Sequence, residues 1–330
     1  MKKRHLFSAS FMCLCCLAAA RASLGETRSL PSGLMRGVLY MTVNVEDQLT
    51  AERTFSDETS DTDKTEEAAF PQPVHVGVGE APVVFERTIL SAPLNSEGLH
   101  ISNLAKAEVN IDELLSLPPE TTGSKVLILH SHGCESYTPT AENNYRPSED
   151  FRTTDRDFNV VRVGNEIQKQ LESFGIEVIH DTTLCDEPDF NSSYINSLAI
   201  AKKYVADDPN IKVILDVHRD SIAGEKGEQI KTVGPDGASQ LMFVVGTDIS
   251  GLEHPLWRQN LSFALNLQRR LVDKYPTLMR PINLRSNRFN QQVTTGSIIV
   301  EVGSDGNTLE EALKAAEIFG QELGGYLTGK

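Results

Sequence analysis

The chain has 330 residues, of which 39% are hydrophobic and 23% are charged, and its formal net charge is −15. This length and composition are typical of a globular protein with one large domain or two smaller ones. The negative charge argues against a nucleic-acid partner, because phosphate binding requires a basic surface. Only two of the five cysteines, Cys134 and Cys185, lie outside the N-terminal segment. The spacing predicts no disulfide framework and favours two unpaired thiols over a single bridge.

Residues 1–22 have the three parts of an export signal. A basic start is followed by an apolar run over residues 6–20 and by the cleavage-like sequence Ala20-Arg21-Ala22. The apolar run is shorter than the roughly 20 residues that a spanning helix needs. The pattern therefore predicts a signal peptide, with a short retained membrane anchor as the alternative. Either way, we expect the rest of the chain to be exported and to work outside the cytoplasm.

Two segments separate this signal from the main domain. Residues 23–72 contain a dense run of Asp, Glu, Ser and Thr, which cannot bury enough apolar surface to fold alone. We predict that they form an acidic, disordered tether. Residues 73–123 carry short β-like runs, one of them at 83–89, and a helical turn at 111–115. They are predicted to be a lead-in segment that packs on the main domain.

Residues 124–330 alternate between strand and helix patterns and are predicted to form a single catalytic domain. The predicted strands lie at 126–129, 176–179, 213–217, 241–245 and 298–302, and the predicted helices at 160–174, 193–206, 255–275 and after Thr308. Thr308 and Glu311 form a capping-box pattern at the start of the last helix. The polar stretch 224–237 is predicted to be a loop or hairpin. The alternation indicates an α/β fold with a mainly parallel, twisted sheet flanked by helices on both faces.

Residues that can bind metal follow two of these strands. The first strand leads into His130, His132 and Glu135, and the third contains Asp216 and ends in His218. The carboxyl ends of parallel strands meet at one edge of a sheet, where ligands bind. His132, Glu135 and His218 are therefore predicted to form a zinc site with two His, one Glu and an open fourth position.

His130 and Asp216 have alternative roles in this prediction. Because residues i and i+2 share a face of a strand, His130 could replace His132 as the ligand. The H-x-x-E pair of His132 and Glu135 is the tighter chelate and favours His132, with His130 as a supporting residue. Asp216 is predicted to orient a ligand imidazole from behind, or else to cap a backbone group.

Glu301 stands out because it lies inside an otherwise apolar strand. An apolar setting raises the pKa of a carboxyl group and a nearby cation lowers it. Glu301 is thus suited to take a proton from water and return it to a leaving amine. A salt bridge to a buried arginine is the alternative. Serine and cysteine nucleophiles are less favoured, because no G-x-S-x-G elbow surrounds Ser131 or Ser136 and Glu135 opposes thiolate formation at Cys134.

Several blocks in fixed order together resemble the stage II sporulation protein P family of cell-wall hydrolases. They are residues 101–103, 130–137, 215–220, 243–246, 288–291, 299–303 and 307–312. The resemblance covers about Gly98 to the C-terminus.

This resemblance implies a zinc-dependent N-acetylmuramoyl-L-alanine amidase acting on peptidoglycan during endospore engulfment, with endopeptidase activity left open. It also implies a membrane-bound sporulation complex that includes stage II sporulation protein D. Members of the family are usually membrane-anchored, whereas the apolar segment here is short. Arg288 and Asn290 are predicted to contact the carboxylate and carbonyl groups of the stem peptide, because arginine matches carboxylate geometry. The alternative for both is an exposed loop position.

Two other functions stay open. The order H-x-x-E, His, Glu also resembles zinc carboxypeptidases, whose sheet architecture is similar and which would release free C-terminal amino acids. A catalytically inactive wall-binding scaffold would instead lack a metal ligand or the base. Neither is missing from this sequence.

Overall fold

The computed structural model describes residues 84–89, 99–148, 151–224 and 228–330. The predicted export signal at 1–22 and the predicted tether at 23–72 lie outside these residues, and both stay predictions, as do the domain boundaries. Among the helices of the described part of the chain, none is long and apolar enough to cross a membrane.

The described residues form nine strands and five α-helices. The strands are β1 (Val84–Arg87), β2 (Ile101–Asn103), β3 (Lys125–Leu129), β4 (Val178–His180), β5 (Ile211–Asp220), β6 (Gln229–Thr232), β7 (Leu241–Gly246), β8 (Ile282–Arg285) and β9 (Gly296–Ser304). The helices are α1 (Ile111–Leu115), α2 (Val160–Ser173), α3 (Ser193–Asp207), α4 (Trp257–Lys274) and α5 (Leu309–Thr328). Short 3₁₀ turns occupy Phe190–Ser192, Pro235–Gly237 and Gln291–Val293.

Seven strands form one sheet in the order β2-β8-β7-β9-β5-β3-β4. Neighbouring strands are parallel everywhere except between β7 and β9. β1 and β6 form a separate parallel pair. The predicted α/β class with a mainly parallel sheet is confirmed.

Strand β7 runs antiparallel to its neighbour β9 because of the connection that leads into it. Parallel neighbours need a crossover that returns the chain to the starting edge, usually through a helix. The described residues between β5 and β7 contain β6 and a 3₁₀ turn but no α-helix, so the chain re-enters the sheet at the edge it left. As a result β7 is antiparallel to β9, while helix α4 brings β8 back parallel to β7.

The core forms where the sequence is most apolar. Val126 to Leu129 of β3 are all buried, as expected for a strand covered on both faces. Helix α2 begins after Asn159, whose side chain accepts a hydrogen bond from the Val161 amide. Helix α5 begins with the predicted capping box between Thr308 and Glu311, in which both reciprocal bonds are present.

The two faces of the sheet are covered by different helices. One face joins α2, α4 and α5 in the large core, which includes Val126, Ile128, Val213, Leu215 and Val300. On the other face, near α3, lies a smaller cluster that includes Leu127, Leu129, Ala201, Ile211 and Ile214. Side chains alternate along a strand, so Asp216 and His218 continue the face of Ile214. This alternation decides which polar side chains can meet.

Candidate metal centre

The strands that carry the candidate residues are neighbours and run in the same direction. β3 and β9 flank β5, and both pair with it in parallel. In this register Leu129 lies opposite Asp216, and His218 lies opposite Glu301. The three carboxyl ends therefore meet at one edge of the sheet.

His132, Glu135 and His218 form a compact buried cluster at that edge. Each offers one ligand-type atom, and these atoms all lie within 4.8 Å of one another. Nδ1 of His132 is 3.3 Å from Oε1 of Glu135, and Nδ1 of His218 is 3.4 Å from Oε2. Ligands bonded to zinc at about 2.0–2.1 Å in tetrahedral geometry are about 3.3 Å apart. The donor types and their spacing fit a zinc ion.

The charges in the cluster are strongly coupled. Burial alone would lower the pKa of His218, but the carboxylates of Asp216 and Glu135 raise it well above its ordinary value. Burial alone would raise the pKa of Glu135, but the charge of His218 and a hydrogen bond from His132 hold it well below its usual range. Two carboxylates thus surround one imidazole, and the same two would balance a divalent cation.

Asp216 holds the far side of the His218 ring. Its Oδ1 accepts from His218 Nε2 at 2.8 Å and from the Ser131 amide at 2.7 Å. Its Oδ2 accepts from the Ser131 hydroxyl at 2.5 Å. With Nε2 occupied in this way, Nδ1 of His218 is directed to Glu135. With these contacts Asp216 would orient the His218 imidazole if that ring binds a metal ion, as the sequence predicts.

His130 lies on the side of α2, away from this cluster. Its Nδ1 donates to the Val217 carbonyl at 2.9 Å, so its Nε2 accepts from Nε2 of His180 at 2.9 Å. A Cβ added to Gly164 of α2 would lie 3.0 Å from the His130 ring, which shows how tightly the helix packs there. Burial lowers the pKa of His130 to about 3 and keeps the ring neutral. Both of its nitrogens are engaged, which favours His132 as the ligand.

Arg219 of β5 forms hydrogen bonds to the loop that carries His132 and Glu135. Its backbone amide donates to Oε2 of Glu135 at 3.0 Å. Its buried guanidinium donates to the carbonyls of Ser136 at 3.0 Å and Phe151 at 3.2 Å. Sequence patterns did not identify this role of Arg219, whose position next to His218 was the one signal available.

Aromatic rings pack around His132. Phe190 stacks on its imidazole at 4.7 Å between ring centroids and 23° between planes. Tyr194 meets the same ring edge-on at 5.4 Å, and His218 does so at 4.9 Å. Sequence reasoning missed Phe190 and Tyr194, because they follow β4 by a long loop and carry no recognisable spacing. They restrict the rotation of the His132 ring.

Glu301 lies beside the cluster with one oxygen unsatisfied. Its Oε2 is buried and has no hydrogen-bond partner among the described residues. Burial, assisted by the negative charge of Asp220, raises the pKa of Glu301 to about 8, although the charge of His218 opposes the shift. The nearby Arg280 pairs with Asp220 at 2.8 Å. A buried carboxyl group with a free oxygen and a high pKa is equipped to transfer a proton.

Arg288 packs against the carboxyl end of β7. A Cβ on Gly246, at the carboxyl end of β7, would lie 2.7 Å from Arg288 Cα. Because β7 is antiparallel to β9, that end is opposite to the edge that holds Glu301. The Arg288 side chain is buried, and it donates to the Glu253 carbonyl at 3.1 Å. The alternative of an exposed position is therefore wrong for Arg288, and its predicted contact with the stem peptide stays a prediction.

Asn290 supports the helix that carries Tyr194. Its side-chain amide donates to the Tyr194 carbonyl at 2.7 Å and to the Ser197 hydroxyl at 3.1 Å. These contacts fix the first turn of α3, where Tyr194 meets His132. The predicted contact of Asn290 with a stem peptide stays a prediction.

Comparison with known proteins identifies a family and a curated relative of this chain. The family model described as Stage II sporulation protein P (SpoIIP) matches residues 40–323. Stage II sporulation protein P of Bacillus subtilis (strain 168) is 28% identical over 231 residues, which is 66% of this chain and 55% of that protein. The chain thus spans little more than half the length of this curated relative.

Several solved structures with some similarity are described as amidases. Against N-acetylmuramoyl-L-alanine amidase AmiC2 of Nostoc punctiforme the TM-score is 0.36, with 11% identity over 62% of this chain and 98% of that one. Against Ami1 of Mycobacterium smegmatis it is 0.37, with 12% identity over 64% and 99%. Scores this low do not establish a shared fold, and the fold described above follows from the sheet itself.

Proposed function

Because the chain belongs to the stage II sporulation protein P family, we propose that it is a zinc-dependent peptidoglycan hydrolase. Its reaction is that of an N-acetylmuramoyl-L-alanine amidase, which cuts the amide between muramic acid and the stem peptide. The observation that carries this proposal is the buried cluster of His132, Glu135 and His218 beside the unpartnered oxygen of Glu301. The role of the reaction in spore formation, at the engulfment stage, is part of the same proposal.

His132, Glu135 and His218 would hold the zinc ion. The fit rests on two imidazoles and one carboxylate, with the Nδ1 atoms of His132 and His218 at 3.3 and 3.4 Å from the oxygens of Glu135. When bound, Zn²⁺ supplies Lewis acidity that polarises the substrate carbonyl and makes water a better nucleophile. Zinc prefers this mixture of nitrogen and oxygen donors, whereas Mg²⁺ and Ca²⁺ prefer oxygen alone.

Glu301 would move the proton. Because burial raises its pKa to about 8, its carboxylate is a strong enough base to accept a proton from the attacking water. The resulting carboxylic acid would then donate that proton to the leaving nitrogen of the stem peptide. Asp216 would keep the His218 ring in place during both transfers, since it binds the ring nitrogen away from Glu135.

The deciding experiment digests purified sacculi with the zinc-loaded wild type and with Glu301→Gln, followed by mass analysis of the products. The proposal predicts intact stem peptides and bare glycan strands from the wild type only. Glu317→Gln is a matched control, because Glu317 is an exposed glutamate of α5 and its variant should remain active.

Each other outcome points to a different function. Free C-terminal amino acids from the wild type would favour a carboxypeptidase. Binding to sacculi without any release would favour an inactive scaffold. Cleaved stem peptides that remain attached to glycan would indicate endopeptidase activity. Equal activity of Glu301→Gln and the wild type would contradict the role of Glu301. A complex with stage II sporulation protein D stays a prediction, as does the exported location.

A further inference from the structure

Arg152 is held next to the candidate metal centre by the backbone. It forms an isolated antiparallel bridge with Glu135. The Ser136 amide donates to the Phe151 carbonyl and the Thr153 amide to the Cys134 carbonyl, each at 2.9 Å. Residues directly opposite in an antiparallel pair present their side chains on the same side. The Arg152 side chain therefore emerges beside that of Glu135.

Two further contacts fix the Arg152 guanidinium. One nitrogen donates to Oδ2 of Asp186 at 2.6 Å, and the Asp186 side chain is fully buried. The guanidinium carbon also lies 4.9 Å from the centroid of the Phe190 ring, within cation–π distance. Phe190 in turn stacks on His132. The cation is thus separated from a metal-binding imidazole by a single aromatic ring.

Most of the donor groups of Arg152 remain available. A guanidinium has five N–H donors, and the bond to Asp186 is the one hydrogen bond of this side chain among the described residues. The side chain is 24% exposed, and none of its nitrogens is buried without a partner. The remaining N–H groups therefore face solvent at the mouth of the site.

The other arginines near this edge are already engaged. Arg219 is buried and donates to backbone carbonyls, and Arg280 is paired with Asp220. Arg288 lies toward the opposite edge of the sheet. In a chain with a net charge of −15, an anionic substrate needs a local cation. Arg152 supplies one with a fixed orientation.

We propose that Arg152 is a specificity-determining residue that binds a free carboxylate of the stem peptide next to the amide that is cut. The inference rests on the proposed function. A guanidinium fork matches the two oxygens of a carboxylate, and this match distinguishes a free acid from its amide. Because Asp186 and Phe190 already hold the guanidinium, little side-chain freedom is lost when the substrate binds.

The test compares two synthetic muramyl peptides that are identical except that one has free carboxylates on its stem and the other carries amides in their place. We expect the wild type to prefer the acid form. In Arg152→Gln, kcat/KM for the acid form should fall about 10- to 100-fold, mainly through a higher KM, since a charge-assisted pair is lost. The amidated peptide should change by less than about threefold.

Control variants separate binding from folding. Arg152→Gln leaves the buried Asp186 carboxylate without its charged partner, so the double variant Arg152→Gln/Asp186→Asn removes both charges together. It should show the same loss of preference. Arg156→Gln makes the same substitution at an exposed arginine of the same loop and should keep the wild-type preference. Equal losses on both peptides in the single and double variants would overturn the proposal.

The experiment distinguishes a failure of the amidase assignment from a failure of the proposed role of Arg152. If the wild type cleaves neither peptide, the amidase assignment fails, and the same pair of peptides is then used in calorimetric binding. Tighter binding of the acid form that disappears in Arg152→Gln would still support the carboxylate site. Equal binding of both peptides to the wild type would overturn it.

Discussion

Asp216→Asn tests whether the carboxylate behind His218 controls metal binding. The substitution keeps the shape of the side chain and removes one negative charge. The amide oxygen can still accept from His218 and from the Ser131 backbone, as Oδ1 does now. The new NH₂ group would face the Ser131 hydroxyl, which can rotate to accept. The geometry should therefore survive, and the variant isolates the charge.

The expected loss of zinc affinity follows from the weakened hydrogen bond between His218 and residue 216. The bond from His218 to a carboxylate is charge-assisted and about twice as strong as a neutral bond of the same length. Loss of such an outer partner typically lowers metal affinity by about 10- to 100-fold. This range corresponds to roughly 1.4–2.7 kcal/mol of binding free energy. We expect Asp216→Asn to weaken zinc binding within that range.

The measurement is a competition titration between the protein and a chromophoric zinc chelator at fixed pH. Thermal unfolding of the metal-free variant confirms that it is folded. Asp157→Asn, at an exposed position of the loop before α2, is the matched control and should keep wild-type affinity. A folded Asp216→Asn protein whose zinc affinity lies within twofold of the wild type would refute the reasoning.

Three further predictions concern packing and stability. Gly164→Ala should destabilise the fold by about 1–3 kcal/mol in urea unfolding, because the added Cβ would lie 2.7 Å from Nε2 of His180. Thr308→Ala should cost about 1 kcal/mol in the same assay, since it removes the cap of α5. Burial and the charge of Arg288 lower the pKa of His254 to about 4, so its neutral ring stabilises the fold above pH 6.5 and this contribution is lost as the pH falls toward 4. Between pH 7 and 4.5 the wild type should therefore lose about 2 kcal/mol more unfolding free energy than His254→Phe.

For each of these three predictions, one experimental outcome would contradict the reasoning. Unchanged stability of Gly164→Ala would mean that α2 does not pack against the two histidines. A Thr308→Ala protein as stable as the wild type would rule out a stabilising cap. Parallel pH profiles for His254→Phe and the wild type would show that His254 is not held neutral by burial.

Local patterns were sufficient for most elements of the fold. The apolar run of β3, the amphipathic spacing of α2 and the capping box of α5 each depend on neighbours within a few residues. The convergence of the strand ends followed from the parallel direction of β3, β5 and β9. These features could be predicted because short-range chemistry and one topological rule determine them.

Other features depend on contacts that no spacing encodes. The direction of β7 was set by a connection without a helix between it and β5. The i and i+2 rule did not separate His130 from His132, because the strand ends at Leu129 and the loop turns His132 toward α3. Phe190 and Arg152 reach the site from distant loops. Tertiary packing determines all of these positions.

The most direct test of the metal centre is a crystal structure of the zinc-loaded protein with anomalous data collected at the zinc edge. We predict one zinc peak bonded to His132, Glu135 and His218 at about 2.0–2.2 Å. His130 should still be bound to the Val217 carbonyl and His180. A zinc ion ligated by His130 in place of His132, or no zinc at these residues, would contradict the proposed centre.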